Sequence, residues 1–256
     1  MHKVLVTLNQ MYKTAIGIKL AYENPCMFVT LQKEPPPERT PIPENIIPVL
    51  IDFCKGYEDG VLILTLLYTG MRRGEIVALC GEDIDWDRNC FTVNKAVEFI
   101  NNKPHIKSPK TKSGYRTIPI LNVLHPYKDY FLQIGKGEPV FKNAYGDMHT
   151  LTSIRRLFDR FNQNYNAYAK RINQNLCHTF TMHEFRHTYA TMLYKADVDI
   201  KTAQSFLGHS SVAVTMDIYT HLDQTHKEVN AEKLNKFLGA QASIINGSIQ
   251  SNLVKI

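Results

Sequence analysis

Thr181-Met182-His183-Glu184-Phe185-Arg186-His187-Thr188 can be read in two ways, and the choice between them decides the fold. As His-Glu-x-x-His it matches the pattern in which two histidines one helical turn apart hold zinc and the glutamate serves as base. A catalytic zinc needs a third protein ligand. The extension that supplies one requires glycine and histidine where this chain has Ala190 and Leu193, and no glutamate occurs between Glu184 and Glu228. Asp197, Asp199 and His209 are the nearby alternatives, so a zinc hydrolase is the distant reading and no metal is expected. The other reading starts from Thr181-x-x-Glu184 as a capping box, in which Thr181 takes the Glu184 amide and Glu184 reaches back to the Thr181 amide. A helix from Met182 to Ala196 then opens with His183 in its first turn and Arg186 three residues on along the same face. Both lie near the positive end of the helix, where phosphate is favoured.

Working outward, Leu207-Gly208-His209 is followed ten residues later by Tyr219, and Thr69-Gly70-Met71-Arg72-Arg73-Gly74-Glu75 lies upstream. Two histidines, two arginines and a tyrosine at these spacings suit attack of a tyrosine hydroxyl on a phosphodiester. Each member alone has an ordinary explanation. Arg72 and Arg73 could be a solvated pair, Glu75 could hold only its own turn, and any one of thirteen tyrosines is more often packing than nucleophile. The joint spacing carries the weight.

Thirty Lys plus Arg against twenty-four Asp plus Glu give a net charge of +6, a balance that favours a polyanionic partner without naming one. At 256 residues and 44% hydrophobic, the chain can bury one sizeable core and a smaller appendage. Five cysteines with no Cys-x-x-Cys spacing indicate neither a disulfide framework nor a zinc ribbon, and read as reduced thiols of a cytoplasmic protein. No apolar run reaches spanning length, and Met1 to Leu20 lacks a signal-peptide core.

Apolar spacing predicts one helix over Leu5 to Tyr22, then the extended linker Glu34-Pro35-Pro36-Pro37-Glu38-Arg39-Thr40-Pro41, because consecutive prolines can neither continue a helix nor fill a central strand. Helices follow at Pro43 to Lys55, Tyr57 to Tyr68 and Arg73 to Leu79. Short strands at Asp83 to Trp86, Cys90 to Val97, around Ile106 and at Arg116 to Ile120 predict a small antiparallel sheet, with the last two joined through Ser113-Gly114. Helical periodicity returns at Asn122 to Ile134, Leu151 to Lys170, Met182 to Ala196, Ile200 to Leu207, Val212 to Thr220 and His226 to Leu238. The expected class is α+β, mainly α, with 1–40 as an entering helix and linker, 41–222 as the main domain, and 223–256 as a tail helix and flexible end.

These residues resemble the tyrosine recombinases, also called phage integrases, over about Pro43 to Leu238. Four motifs stand in the family's order. Thr69-Gly70-Met71-Arg72 with Glu75 is similar to its first arginine motif, and Pro109-Lys110-Thr111 through Arg116-Thr117-Ile118-Pro119 to its lysine hairpin. His183-Glu184-Phe185-Arg186-His187-Thr188 resembles its His-x-x-Arg box, and Leu207-Gly208-His209 leading to Ile218-Tyr219-Thr220-His221 resembles its nucleophile segment. The resemblance implies the family's catalytic domain and strand cleavage through a 3′-phosphotyrosyl bond at Tyr219. Because breakage conserves the bond energy, no nucleotide cofactor is needed. Free tyrosine, with a pKa of about 10, is a weak nucleophile at neutral pH, and His183 is the candidate acid-base. Arg72 and Arg186 would bind the non-bridging oxygens as planar forks, with His209 as a third donor. Lys110, nine residues before Pro119, is the expected acid for the leaving 5′-oxygen, and Lys112 is its rival. Glu75, Thr181 and Glu184 take supporting roles.

Lys103, Lys107, Lys112 and Arg116 lie in an acid-free stretch, and Arg160 to His183 is likewise acid-free and rich in Asn and Gln. Phosphate-backbone contact is expected from both, with binding that weakens steeply in salt. The implied partner is double-stranded DNA, with no membrane, in a cytoplasmic, nucleoid-associated setting. The family normally carries a complete core-binding domain ahead of the catalytic one, and only Leu5 to Tyr22 resembles its last helix. Weak DNA binding and poor cleavage by the chain alone are therefore expected. Thr225-x-x-Glu228 reads as a second capping box, opening a helix with Val229, Leu234 and Leu238. Such a tail commonly docks in trans, which implies a tetramer on DNA and weak or no assembly without it, against packing on its own domain. A DNA-binding remnant without turnover and a relaxing activity of the type IB topoisomerase kind are the nearer alternatives.

Overall fold

Asn24-Pro25 stops a helix, as proline must, but the helix before it ends sooner than its apolar spacing suggests. In the computed structural model, which describes residues 2–29, 40–109 and 112–222, α1 spans His2–Gly17, and Lys19 turns the backbone away with φ at +60°. Asn24 then caps a short turn at Pro25–Phe28, its side chain accepting from the Cys26 amide at 3.0 Å. These residues belong to a first compact unit, Met1–Glu38; Arg39–Ile256 form the second.

The second unit starts with α2, Ile47–Lys55, which carries proline in its first turn, where a missing amide costs nothing. Next comes α3, Gly60–Thr69. Its sequence is apolar on every side, the mark of a central helix, and Leu62 to Leu67 are all buried. Gly70 ends it in the left-handed region at φ +58°, and α4, Arg73–Ala78, follows after two residues. Three strands then build one sheet: β1, Ile84–Asp85; β2, Cys90–Val93; and, beyond a separate hairpin of β3 (Ala96–Ile100) and β4 (Lys103–Lys107), β5, Arg116–Pro119. The order is β1-β2-β5, antiparallel throughout, with Phe91 opposite Ile118 and Val93 opposite Arg116.

Here the sheet differs from expectation. Ile106 pairs with Val97, not with the strand beginning at Arg116. Asn101 and Asn102 both hold positive φ, +48° and +68°, the requirement of a tight two-residue hairpin turn. That local turn pairs the Ile106 segment with the strand just before it. Between Asn122 and Leu132 the expected single helix is split as well: a 3-10 turn over Asn122–Tyr127 contains Pro126, and only Lys128–Leu132 is α-helical, as α5.

Four further helices complete the described residues: α6, Leu151–Ile172; α7, Met182–Lys195; α8, Ile200–Leu207; and α9, Val212–Leu222. Thr150 caps α6, and Ile154, Leu157, Phe158, Phe161, Tyr165 and Ala169 form its buried stripe. Rings of Phe53, Phe161, Tyr165, Phe180 and Phe185 meet beneath it. Two asparagines on α6 hold the strap that leads into α7. Asn162 bonds both the amide and carbonyl of Phe180, and Asn166 does the same for His178, at 2.8 to 3.1 Å. The acid-free stretch around them thus includes asparagines committed to backbone, and Arg160 pairs with Glu58 and Asp59. The main core centres on α3, α6 and the inner face of the sheet, while a second cluster of Tyr189, Ala190, Leu193, Ala203, Leu207 and Tyr219 joins α7, α8 and α9. No described helix is long and apolar enough to cross a membrane.

Candidate active site

The Thr181 capping box forms as its spacing requires: Thr181 accepts from the Glu184 amide and Glu184 from the Thr181 amide, both at 3.2 Å. Its other carboxylate oxygen bonds His178 at 2.6 Å. Glu184 is therefore spent on holding the start of α7. Among the described residues the group of three His, Cys, Asp or Glu donors close enough to share an ion is Cys80, Glu82 and Asp83, far along the chain from His183 and His187. There Lys95 already bonds both carboxylates, at 3.1 and 2.7 Å.

One turn into α7, Arg186 points inward and is buried. It donates to the carbonyls of Gly70 at 2.8 Å and of Leu207. Arg72 donates to the Gly208 carbonyl at 2.7 Å, and Arg116 to that of Phe206 at 2.8 Å. Three successive carbonyls at the end of α8 are thus each taken by a different guanidinium. Helix C-termini leave such carbonyls without intrahelical partners and carry partial negative charge, so this end of α8 gathers cations from three distant segments. Gly208 turns the chain at φ +63°, and His209 follows directly.

Glu75 is the counter-charge. Its Oε1 accepts from Arg72 at 2.8 Å and Arg116 at 2.9 Å; its Oε2 accepts from the Arg72 amide at 2.7 Å and Arg116 at 2.8 Å. Burial would raise this carboxyl, but Arg116 first and then Arg72 outweigh it and hold the pKa down to about 2. Three guanidiniums against one carboxylate leave positive charge in excess, and the neighbours register it. Arg186 is pushed down to about 9 by burial and by Arg72 and Arg116. His209 falls to about 4, through burial first and then Arg186, Arg72 and Arg116, and is neutral at pH 7. Its Nδ1 lies 2.9 Å from the Thr215 hydroxyl; in the tautomer where Nδ1 accepts that hydroxyl, the proton sits on Nε2, where it can be donated to an anion. A phosphate would relieve this excess of charge.

Arg72 is 44% exposed at its side chain and, with Arg73, Arg155, His183 and Arg186, lines a cleft of about 650 Å3 between α4, α6 and the start of α7. His183 is exposed there and packs edge-on against His187, ring centres 4.8 Å apart. Arg73 and Arg155 were not singled out from the sequence. Arg155 could have been found, since it sits beside buried Ile154 in the first turns of a capped helix.

Two expectations need correction. Arg116, expected on DNA, has a side chain only 1% exposed; Ile118 and Ile120 are buried, and strand alternation puts Arg116 on their face. Tyr219, expected beside the arginines, lies in the second core cluster. Its hydroxyl donates to the Val198 carbonyl at 3.5 Å, its ring packs on Tyr194 at 4.8 Å, and burial raises its pKa to about 12. Val198 precedes α8 and the guanidiniums cluster at its far end, so roughly 12 Å of helix, at 1.5 Å per residue, separates hydroxyl from cations. Lys103 is exposed at the hairpin, and Lys107 is half-buried and paired with Glu98 at 2.5 Å. Lys110 and the Lys112 side chain lie outside the described residues, as does the tail helix from His226 to Leu238.

Residues 42–226 match the profile of the phage integrase family. The chain belongs to that family. This integrase-family chain is 28% identical over 258 residues to a XerC-like tyrosine recombinase of Caldanaerobacter subterraneus subsp. tengcongensis, covering 91% of the chain and 66% of the relative. It is 26% identical over 193 residues to the transposase of transposon Tn916 from Enterococcus faecalis, covering 72% and 46%. The chain thus spans about half to two thirds of the length of these relatives. In fold it is similar to the Tn1549 transposon integrase solved in complex with transposon right end DNA, at TM-score 0.72 and 24% identity, over 90% of this chain and 78% of that one.

Proposed function

We propose that this chain cleaves and rejoins duplex DNA as the strand-exchange part of a mobile-element recombinase, through a covalent 3′-phosphotyrosyl bond at Tyr219. The observation that carries this reading is the convergence of Arg72 and Arg186, with His209 beside them, on the last carbonyls of α8, open through Arg72 to a cleft. A phosphodiester held there meets two forked cations and one neutral donor, the arrangement that stabilises charge growing on its non-bridging oxygens. His183, exposed at the cleft, takes the proton of the attacking hydroxyl. Lys110 or Lys112 returns one to the leaving 5′-oxygen.

Residues 41–222 carry the chemistry, 1–40 enter it, and 223–256 form a tail that docks on a neighbouring copy in a DNA-bound tetramer. Lys103 and Lys107 meet the phosphate backbone, and the protein works at the nucleoid. Attack requires Tyr219 to leave the Val198 carbonyl, so on this reading the nucleophile is withdrawn before DNA binds.

Incubating the chain with a nicked suicide duplex without divalent metal, then denaturing it, should leave DNA covalently attached. Tyr219→Phe should abolish the adduct, and chelator should not affect it. An adduct that survives this substitution would sink the reading.

A further inference from the structure

We infer that Arg116 is a positioning residue of the strand-cleavage reaction: buried beneath the cleft, it shares the Glu75 carboxylate with Arg72 and ties the start of β5 to the last turn of α8. This rests on the recombinase reading above. No substrate phosphate can reach its guanidinium, since the side chain is 1% exposed and is enclosed by Glu75 and the end of α8. Its bonds are structural in the narrow sense that they decide where other groups stand.

Glu75 shows how. An ionised carboxylate offers about four acceptor positions, and all four are filled, two by Arg72 and two by Arg116. Without Arg116, half of them would be vacant in a buried place. Glu75 could then rotate toward Arg72 and form a closed pair with it. The cluster's charge would fall by one, and the guanidinium that faces the cleft would be held by its counter-ion rather than offered to phosphate. Rate is steeply sensitive to such displacement, about a hundredfold for an ångström.

The same guanidinium sets α8. Its Nε takes the Phe206 carbonyl next to those that orient Arg186 and Arg72, and it lies so close to Gly208 that a Cβ there would stand 2.8 Å from Nη1 and 3.0 Å from Cζ. The left-handed glycine and the buried arginine are therefore one device.

The test uses the whole chain with Arg116→Met, Arg116→Lys, Glu75→Gln and the double substitution Glu75→Gln with Arg116→Met. Three quantities are measured: adduct formation on the nicked duplex at saturating protein, DNA affinity across a salt series, and melting temperature. Arg116→Met should slow adduct formation by about 30- to 100-fold and Arg116→Lys by less, since one ammonium restores charge without the fork. The slope of log affinity against log salt should not move in either, whereas a lost phosphate contact would lower it by about one. The loss in the double variant should fall well short of the product of the two single losses, because both substitutions remove the same Glu75–Arg116 pair. A wild-type rate in either Arg116 variant, a lowered salt slope at an intact saturated rate, or losses that multiply in the double variant would each overturn the inference. If Arg116→Met does not fold, Arg116→Lys decides by the same rate and slope. Failure of the unsubstituted chain to form any adduct would overturn the recombinase reading itself.

Discussion

Glu75 is the residue on which the cluster's charge balance turns, and it carries a stability consequence. Its folded pKa of about 2 lies below the ordinary 4.5. A carboxylate held low contributes stability above its unfolded pKa and loses it as pH falls through the folded one. The shift corresponds to roughly 3 kcal/mol at neutral pH, at about 1.4 kcal/mol per unit. Glu75→Gln should therefore be less stable than the unsubstituted protein at pH 7, and the gap should close between about pH 5 and pH 2. Denaturant midpoints measured across that range check it; a gap that stays constant would place the acid sensitivity elsewhere. The sequence made Arg72, Glu75 and Arg186 visible because each sits in a short motif with its neighbours. It also held the signal for Arg116, whose alternation with Ile118 and Ile120 marks an inward face, but a run of lysines around it suggests a solvated surface. Tyr219 shows the opposite limit: its spacing from His209 names it, while the direction of its hydroxyl depends on contacts with Val198 and Tyr194 that no spacing encodes.

At the scale of elements, the turn between α3 and α4 links core to site. Gly70 is left-handed, and a Cβ placed on it would lie 2.7 Å from Tyr189 Cδ1 and 3.2 Å from its Cβ and Cγ, while its carbonyl receives Arg186. Gly70→Ala should cost about 1–2 kcal/mol for backbone handedness alone and more for the collision with a buried ring. A fall in melting temperature of at least about 4 °C is expected, together with slower adduct formation because Arg186 loses its anchor. An unchanged melting temperature would mean that the turn relaxes at no cost. Helices with caps were the legible elements: α6, α7 and α8 begin at Thr150, Thr181 and Asp199, side chains whose hydrogen bonds are local. Strand pairing was less legible. The Asn101-Asn102 turn competes with the one at Ser113-Gly114 for the same middle strand, and the outcome, β3 with β4, follows from which turn closes more tightly.

At the scale of the whole molecule, the cations are assembled while Tyr219, the proposed nucleophile, is elsewhere. Arg72, Arg116 and Arg186 are locked to α8 by backbone carbonyls, so the side that must move is α9. Among its described side chains, Val212, Val214 and Met216 are exposed, Thr215 and Tyr219 are buried, and Ile218 packs on the second cluster. Elements with few buried apolar contacts open at low cost, whereas α6 is bound through a long apolar stripe. Amide exchange should therefore be faster across 212–222 than across the middle of α6 in the free protein. Adding the nicked duplex should change exchange in 212–222 and in the segments lining the cleft, and leave the middle of α6 as it was. Adduct formation accompanied by identical exchange over 212–222 with and without DNA would show that Tyr219 reaches the phosphate without α9 rearranging. The separation along α8 would then have to be closed by the DNA-facing side of the cluster, against the carbonyl bonds that hold all three guanidiniums in place.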